Sequence, residues 1–162
     1  MRKYIILHAI GQLKADFAVY KAVEFAGPVI DALSVSERMA LCNMTTEMGA
    51  KTSYIQPDAV TKEFLVSKGL VEGQDYEVYT TDADFKYADE ITFNVSDLTP
   101  QVAAPSSVDN VFDLKKYEGQ TINQAYLGSC TGGRVEDLKV AAEIVKRETY
   151  PTSCSFCHCT GF

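Results

Sequence analysis

The chain has 162 residues, of which 46% are hydrophobic and 23% are charged, and its formal net charge at pH 7 is -7. This composition is ordinary for a globular domain, and the acidic balance argues against nucleic-acid binding, which requires a basic patch. No apolar run approaches the roughly 20 residues that cross a bilayer, so we expect no membrane partner. Five cysteines are an odd number without the spacing of a disulfide framework, which indicates a reducing compartment such as the cytoplasm.

Hydrophobic spacing and capping residues predict the elements of the first half of the chain. Ser34 and Glu37 have the pattern of a capping box, in which each side chain satisfies a free backbone N–H at the start of a helix. Gly49 is placed to end that helix, and Asp58 is placed to cap the next one. The predicted elements are, in chain order, helix 3–11, strand 19–25, a helical turn at 30–33, helix 34–49, strand 52–55 and helix 59–68.

The middle of the chain is more polar. Residues 72–89 are rich in acidic and tyrosine side chains and are predicted to form a solvated linker or hairpin. Residues 91–95 alternate between apolar and polar side chains, which predicts a strand. Residues 96–119 contain many turn-forming residues, so we expect a long loop there. A loop of this length in a compact domain usually has a function or links two domains.

A glycine-rich turn places Cys130 between a short buried strand predicted at 125–127 and a helix that begins near residue 135. That corner is the edge at which ligands bind in open α/β sheets. The backbone N–H groups of such a turn favour an anion, so a thiolate there suits metal ligation or nucleophilic attack. Spacing alone favours a simpler interpretation, a small buried cysteine in a glycine-rich turn.

Asn43 and Glu47 are a second candidate pair. They are four residues apart, so they are predicted to share one face of helix 34–49. Their neighbours are apolar, which is consistent with a pair that faces a polar cavity. From the residues alone, a solvated helix face is the favoured interpretation.

Two stretches of the chain resemble signature motifs of the aconitase superfamily. Residues 127–138 read LGSCTGGRVEDL, and residues 36–52 read SERMALCNMTTEMGAKT. Both motifs occur in the order found in the family, and the best resemblance is to the large subunits of the 3-isopropylmalate dehydratases. The resemblance covers about residues 4–146. It implies a three-layer α/β/α fold made of parts of two family domains, with a preceding family domain missing from this chain.

The resemblance also implies an organisation of the chain. Residues 1–98 would be part of one α/β domain, residues 99–120 a linker loop, and residues 121–146 the start of the domain that carries the cluster cysteines. Residues 147–162 do not resemble the family. A one-base shift at freely chosen codons for residues 146–149 gives Arg-Gly-Lys-Arg, which is similar to the family at this point, so a frameshift is our favoured explanation of this tail.

The resemblance implies a hydro-lyase that interconverts 2-isopropylmalate and 3-isopropylmalate in leucine biosynthesis, with a small 2-hydroxy acid as substrate and a separate small subunit as partner. In the family, three thiolates hold a [4Fe-4S] cluster, and its fourth iron polarises the substrate hydroxyl. Cys130 matches one cluster ligand. Asn43 and Glu47 match polar residues beside the cluster, whereas Gly132 stands where Asn is common. Homoaconitase and other 2-alkylmalate hydro-lyases share both motifs and are the alternative.

The second cluster motif of the family, a Cys-x-x-Cys pair, has no clear match in this chain. Cys154, Cys157 and Cys159 occur too soon after Cys130 and with different neighbours. They allow three interpretations: completion of a compact cluster site, a separate zinc or redox site, or a tail that is not native family sequence. We expect the chain alone to hold no intact cluster and to be inactive. A non-enzymatic α/β module with a zinc or redox cysteine tail is the rival hypothesis.

Overall fold

The computed structural model describes residues 2–147 and 155–158. Its helices are α1 (Arg2–Leu13), α2 (Pro28–Asp31), α3 (Val35–Asn43), α4 (Ala59–Ser67), α5 (Ser129–Gly132) and α6 (Val135–Arg147), with 3-10 turns at Met44–Met48 and Leu114–Tyr117. Its strands are β1 (Ala22–Glu24), β2 (Thr52–Tyr54), β3 (Gln101–Ala103), β4 (Val111–Asp113), β5 (Gln124–Leu127) and β6 (Ser155–His158). The predicted α/β class is confirmed. No helix in these ranges is both long and apolar enough to span a membrane.

The described strands form three pairs. Strands β1 and β2 are parallel, with Val23 opposite Ser53. Strands β3 and β4 form an antiparallel hairpin. Strands β5 and β6 are parallel, with Tyr126 opposite Cys157, and helices α5 and α6 make the crossover between them. Since parallel strands need such a crossover, the last pair is a βαβ unit.

The buried core is formed by the first third of the chain. Ile6 and Ile10 are one helical turn apart on α1 and are fully buried, with Leu41 of α3 and Met48 packed in the same cluster. The (i, i+4) spacing puts Ile6 and Ile10 on one face of α1, and that face contacts α3. Burial of four such side chains supplies the main hydrophobic stabilisation of this region.

The predicted helix caps at Ser34 and Asp58 are confirmed, and Gly49 follows the 3-10 turn Met44–Met48. The Ser34 hydroxyl accepts a hydrogen bond from the Glu37 backbone N–H, and the Glu37 carboxylate accepts one from the Ser34 N–H at 3.1 Å, which completes the capping box. Asp58 caps α4 by accepting from the Thr61 N–H at 3.0 Å. Gly49 ends the segment with φ +80°, a left-handed conformation that glycine adopts at little cost.

An ion pair between buried Arg38 and partly exposed Asp58 joins α3 to the start of α4. The guanidinium of Arg38 is buried, with 5% of the residue exposed, and it donates to both carboxylate oxygens of Asp58 at 2.7 and 2.6 Å. It also donates to the carbonyls of Leu33 and Asp31. Hydrogen bonding from Arg38 holds the pKa of the Asp58 carboxyl well below its usual range. Arg38 is thus fully committed to structure and is not free to bind a ligand.

Four predicted elements differ in the structure. The helix expected at 34–49 is α-helical only to Asn43 and continues as the 3-10 turn Met44–Met48. The strand expected at 19–25 is limited to Ala22–Glu24, since Tyr20 has φ +61° in a turn. Residues 91–95 form no strand in the described structure; Phe93 and Val95 are half-buried while Asn94 is exposed, so the alternation reflects one packed face without a paired neighbour. The loop predicted at 96–119 contains the β3–β4 hairpin.

The C-terminal tail contains the strand β6, which the sequence did not predict. It places the backbone of Cys157 beside β5. Cys154 and Cys159 lie outside the described residues. That residues 147–162 are not native family sequence stays a prediction.

Candidate functional site

The turn after β5 has an unusual backbone. Strand β5 ends at Leu127, Gly128 is extended, and Ser129 has φ +67°. A non-glycine residue in the left-handed region is uncommon, and such strain is concentrated at functional turns. The chain then forms the four-residue helix α5, in which the Gly133 N–H donates to the Ser129 carbonyl at 3.0 Å. Cys130 is therefore placed at the corner between strand and helix that the sequence predicts.

Cys130 is exposed, so the interpretation as a small buried cysteine is wrong for this structure. The Ser129 hydroxyl lies 3.9 Å from the Cys130 sulfur. An exposed thiol at a strand-to-helix corner is accessible to a metal ion or an electrophile.

The structure brings the two sequence motifs together. The side-chain amide of Asn43, the last residue of α3, donates to the backbone carbonyl of Cys130 at 3.1 Å. Helix α3 also packs against α5. This contact joins residues that are 87 positions apart, and it places Asn43 beside the cysteine turn. The role of Asn43 beside a cluster stays a prediction.

Glu47 is placed differently from the prediction. Helix α3 ends at Asn43, and Glu47 lies in the 3-10 turn Met44–Met48, exposed to solvent. Four residues of a 3-10 turn rotate a side chain by about 120°, compared with about 40° in an α-helix. The prediction that Asn43 and Glu47 share one α-helical face is therefore corrected, and the role of Glu47 near a ligand stays a prediction.

Two further side chains reach the turn, and the sequence reasoning assigned neither of them to the site. Arg134 donates from Nη1 to the Cys130 carbonyl at 3.0 Å. Lys3 of α1 places its Nζ where a side chain at Gly132 would go, because a Cβ built at Gly132 would lie 2.7 Å from that nitrogen. The only sequence signal for Arg134 is its place inside the 127–138 motif. The contact of Lys3 depends on tertiary packing and leaves no local signal.

A cavity of about 310 Å³ lies next to this turn, between α3, β2 and α4. Asn43 and Cys42 line it on one side, and Ser53 and Ile55 line it on the other. Ligand pockets of small molecules begin at roughly 300 Å³. Asn43 therefore borders both the cysteine turn and a space large enough for a small organic acid.

The described residues do not by themselves fit a cluster held by three thiolates. Among them, no group of three or more His, Cys, Asp or Glu side chains is positioned to hold a metal ion. Cys130 supplies one thiol at the turn, and Cys42, the other cysteine whose side chain is described, is half-buried on α3. The turn can therefore contribute one ligand to a metal site whose remaining ligands come from other residues.

Comparison with known protein families gives the class of protein. The chain belongs to the aconitase family (aconitate hydratase), which matches residues 2–121. The resemblance noted in the sequence is thus confirmed, and the match includes Asn43 and Glu47.

The individual relatives are subunits of two related enzymes. The chain is 48% identical over 146 residues to 3-isopropylmalate dehydratase large subunit 1 of Methanopyrus kandleri. It is 46% identical over 143 residues to a probable methanogen homoaconitase large subunit of Methanothermobacter thermautotrophicus. These matches cover 90% and 88% of this chain but 34% and 33% of the relatives. The chain therefore spans about a third of the length of the curated relatives it matches.

Proposed function

We propose that this chain is a segment of an iron–sulfur hydro-lyase large subunit that interconverts 2-isopropylmalate and 3-isopropylmalate. The observation that carries the proposal is the hydrogen bond from Asn43 to the Cys130 carbonyl, which joins the two family motifs at one exposed thiol. In this proposal Cys130 is one thiolate ligand of a [4Fe-4S] cluster, which supplies Lewis-acid chemistry when bound. Asn43 and Glu47 act as polar groups beside it.

The same proposal covers the partners and location. A separate small subunit completes the enzyme, in keeping with the large-subunit names of the relatives. The substrate is a small 2-hydroxy acid, and the cavity bordered by Asn43 has room for one. We place the enzyme in the cytoplasm. Homoaconitase is the second candidate, since a homoaconitase subunit is nearly as similar to this chain.

Because the described residues supply one thiol at the turn, the chain by itself is expected to hold no stable cluster and to be inactive. The test is anaerobic incubation of the chain with iron and sulfide, followed by visible absorption spectroscopy. The expected result is the absence of a stable band. A stable band that disappears in Cys130→Ser would contradict this expectation and would mean that the tail cysteines complete the site.

A chimaera tests the activity itself. Residues 4–146 replace the matching third of the large subunit from Methanopyrus kandleri, and the product is combined with the small subunit of that organism. We expect conversion of 2-isopropylmalate to 3-isopropylmalate that is lost in Cys130→Ser, with Lys139→Ala, on the exposed surface of α6, as the control. Conversion of a homoaconitate substrate alone would favour the second candidate. A separate metal analysis of the whole chain, residues 1–162, tests the rival: zinc bound at one ion per chain and dependent on Cys154 and Cys157 would favour the non-enzymatic module.

A further inference from the structure

The backbone carbonyl of Cys130 is held by two side chains. Cys130 is the second residue of α5, and the last carbonyls of so short a helix have no partners within it. The Cys130 carbonyl oxygen has two lone pairs and accepts from Asn43 at 3.1 Å and from Arg134 at 3.0 Å. Both lone pairs of the Cys130 carbonyl oxygen are thus engaged in hydrogen bonds.

The two donors approach from different parts of the fold. Asn43 ends α3, whereas Arg134 lies between α5 and α6. A hydrogen bond from a charged guanidinium is roughly twice as strong as one between neutral groups. The pair therefore restrains the backbone of Cys130 from both sides, against the strain of the left-handed Ser129 conformation, which persists only where the surroundings fix it.

We propose that Arg134 is a positioning residue for Cys130: together with Asn43 it fixes the Cys130 carbonyl and so keeps the thiol directed outward from the turn. The inference rests on the proposed function, in which that thiol is a metal ligand. Loss of Arg134 therefore removes one of the two side-chain restraints on the Cys130 carbonyl.

The first measurement reads the hydrogen bond directly. The whole chain is labelled with carbonyl ¹³C in cysteine and ¹⁵N in threonine, so that NMR detects the two Cys-Thr pairs, at 130–131 and 159–160. Cys130→Ser identifies the Cys130 signal by its disappearance. In Arg134→Ala the Cys130 carbonyl signal is expected to shift upfield, as it should in Asn43→Ala, while the Cys159 signal stays in place. An unchanged Cys130 signal would overturn the proposal.

The second measurement follows the rate at which the Cys130 thiol is alkylated. Alkylation of Cys130 and Cys42 by iodoacetamide is followed in the same molecule by mass spectrometry. Because the thiol is no longer held outward from the turn, Arg134→Ala is expected to slow alkylation of Cys130 by about threefold or more without changing Cys42. Lys139→Ala, which removes a positive charge from the exposed surface of α6, is the matched control and should have no effect.

These outcomes separate the proposal from a purely structural role of Arg134. If Arg134→Ala merely destabilised the fold, Cys42 would react faster and the urea midpoint would fall, which would overturn the inference. An unchanged rate at Cys130 would overturn it as well. If Cys130 responds as expected but the chimaera forms no cluster, the proposed function fails and the positioning role stands.

Discussion

The first third of the chain and the cysteine unit, which consists of β5, α5 and α6, differ in how far their apolar side chains are buried. In the first third, Ile10 and Leu41 are both 0% exposed and pack in one cluster. In the cysteine unit, Val140 and Ile144 of α6 are 61% and 56% exposed. Both regions have helical spacing of apolar side chains. Among the described residues of the two regions, only the apolar side chains of the first are buried in a common cluster.

This difference shows that helical periodicity identifies a helix face that is suited to burial. It does not identify the element that packs against that face. In the first third, α1 and α3 cover each other. For α6, the described residues leave much of the apolar surface in water, and about two thirds of the length of each relative lies outside the match. The candidate ligand Cys130 is placed in the less covered region, held to the core region through Asn43.

The largest expected effect tests the contrast between the two regions directly. Leu41→Ala removes a fully buried side chain and is expected to lower the free energy of unfolding by about 3 kcal/mol, since truncation leaves a cavity in the core. Ile144→Ala is the matched control on α6 and should change it by less than about 0.5 kcal/mol. Urea denaturation measures both. Equal losses would show that α6 is buried in solution.

The Arg38–Asp58 ion pair gives the next largest expected effect on the free energy of unfolding. Asp58→Ala leaves the Arg38 guanidinium without its partner and removes the cap of α4. Breaking a fully buried pair costs about 3–5 kcal/mol, but the Asp58 side chain is 37% exposed, so we expect about 2 kcal/mol after solvent screening. Asp89→Ala removes the exposed pair with Lys21 and is the control, with an expected loss below about 1 kcal/mol.

The same pair predicts a pH dependence. Because Arg38 holds the pKa of Asp58 below its usual value in the folded chain, the contribution of this carboxylate to stability is complete above the unfolded pKa of about 3.9. It is lost as the pH falls below that value toward the folded pKa. The stability difference between the native chain and Asp58→Ala should therefore shrink on acidification. A difference that grows in acid would contradict this assignment.

A smaller effect concerns the hairpin, which connects the two regions. A Cβ at Gly11 of α1 would lie 2.8 Å from Cβ of Val111 in β4, and a β-carbon cannot swing away as the end of a long side chain can. Gly11→Ala is expected to destabilise the chain by about 1 kcal/mol, at the low end for overpacking. In Gly11→Ala combined with Val111→Gly, which removes the Cβ of residue 111, the clash should be relieved, and thermal unfolding would detect the coupling.

The helix caps could be predicted from the sequence because they depend only on residues close together in the chain. The Ser34–Glu37 capping box and the Asp58 cap are short-range hydrogen bonds, so their sequence patterns were sufficient. The strand expected at 91–95 was wrong because a strand requires a hydrogen-bonded neighbour, which no alternation of residues supplies. The hairpin at 96–119 was missed because its strands are three residues long and lie among strong turn formers.

The candidate site shows the same division. Cys130 and Asn43 were selected by motif resemblance, and the structure joins them. Arg134 was not selected, because a side chain that donates to a neighbour's backbone has no distinctive residue type. Lys3 was not selected, because its approach to Gly132 depends on tertiary packing. The placement of Glu47 failed at the point where α3 changes from an α-helix to a 3-10 turn, a change of winding that the sequence pattern does not report.

The pairing of Gln124 with Ser155 has a consequence for how the molecule forms. The neighbour of β5 is made only after both helices of the crossover, so during synthesis from the N-terminus β5 emerges with an open edge. An open strand edge is a template for pairing with another chain, and non-local parallel pairing is intrinsically slow. The strand that leads into the thiol-bearing turn is thus open to misassembly on the ribosome until β6 has been made.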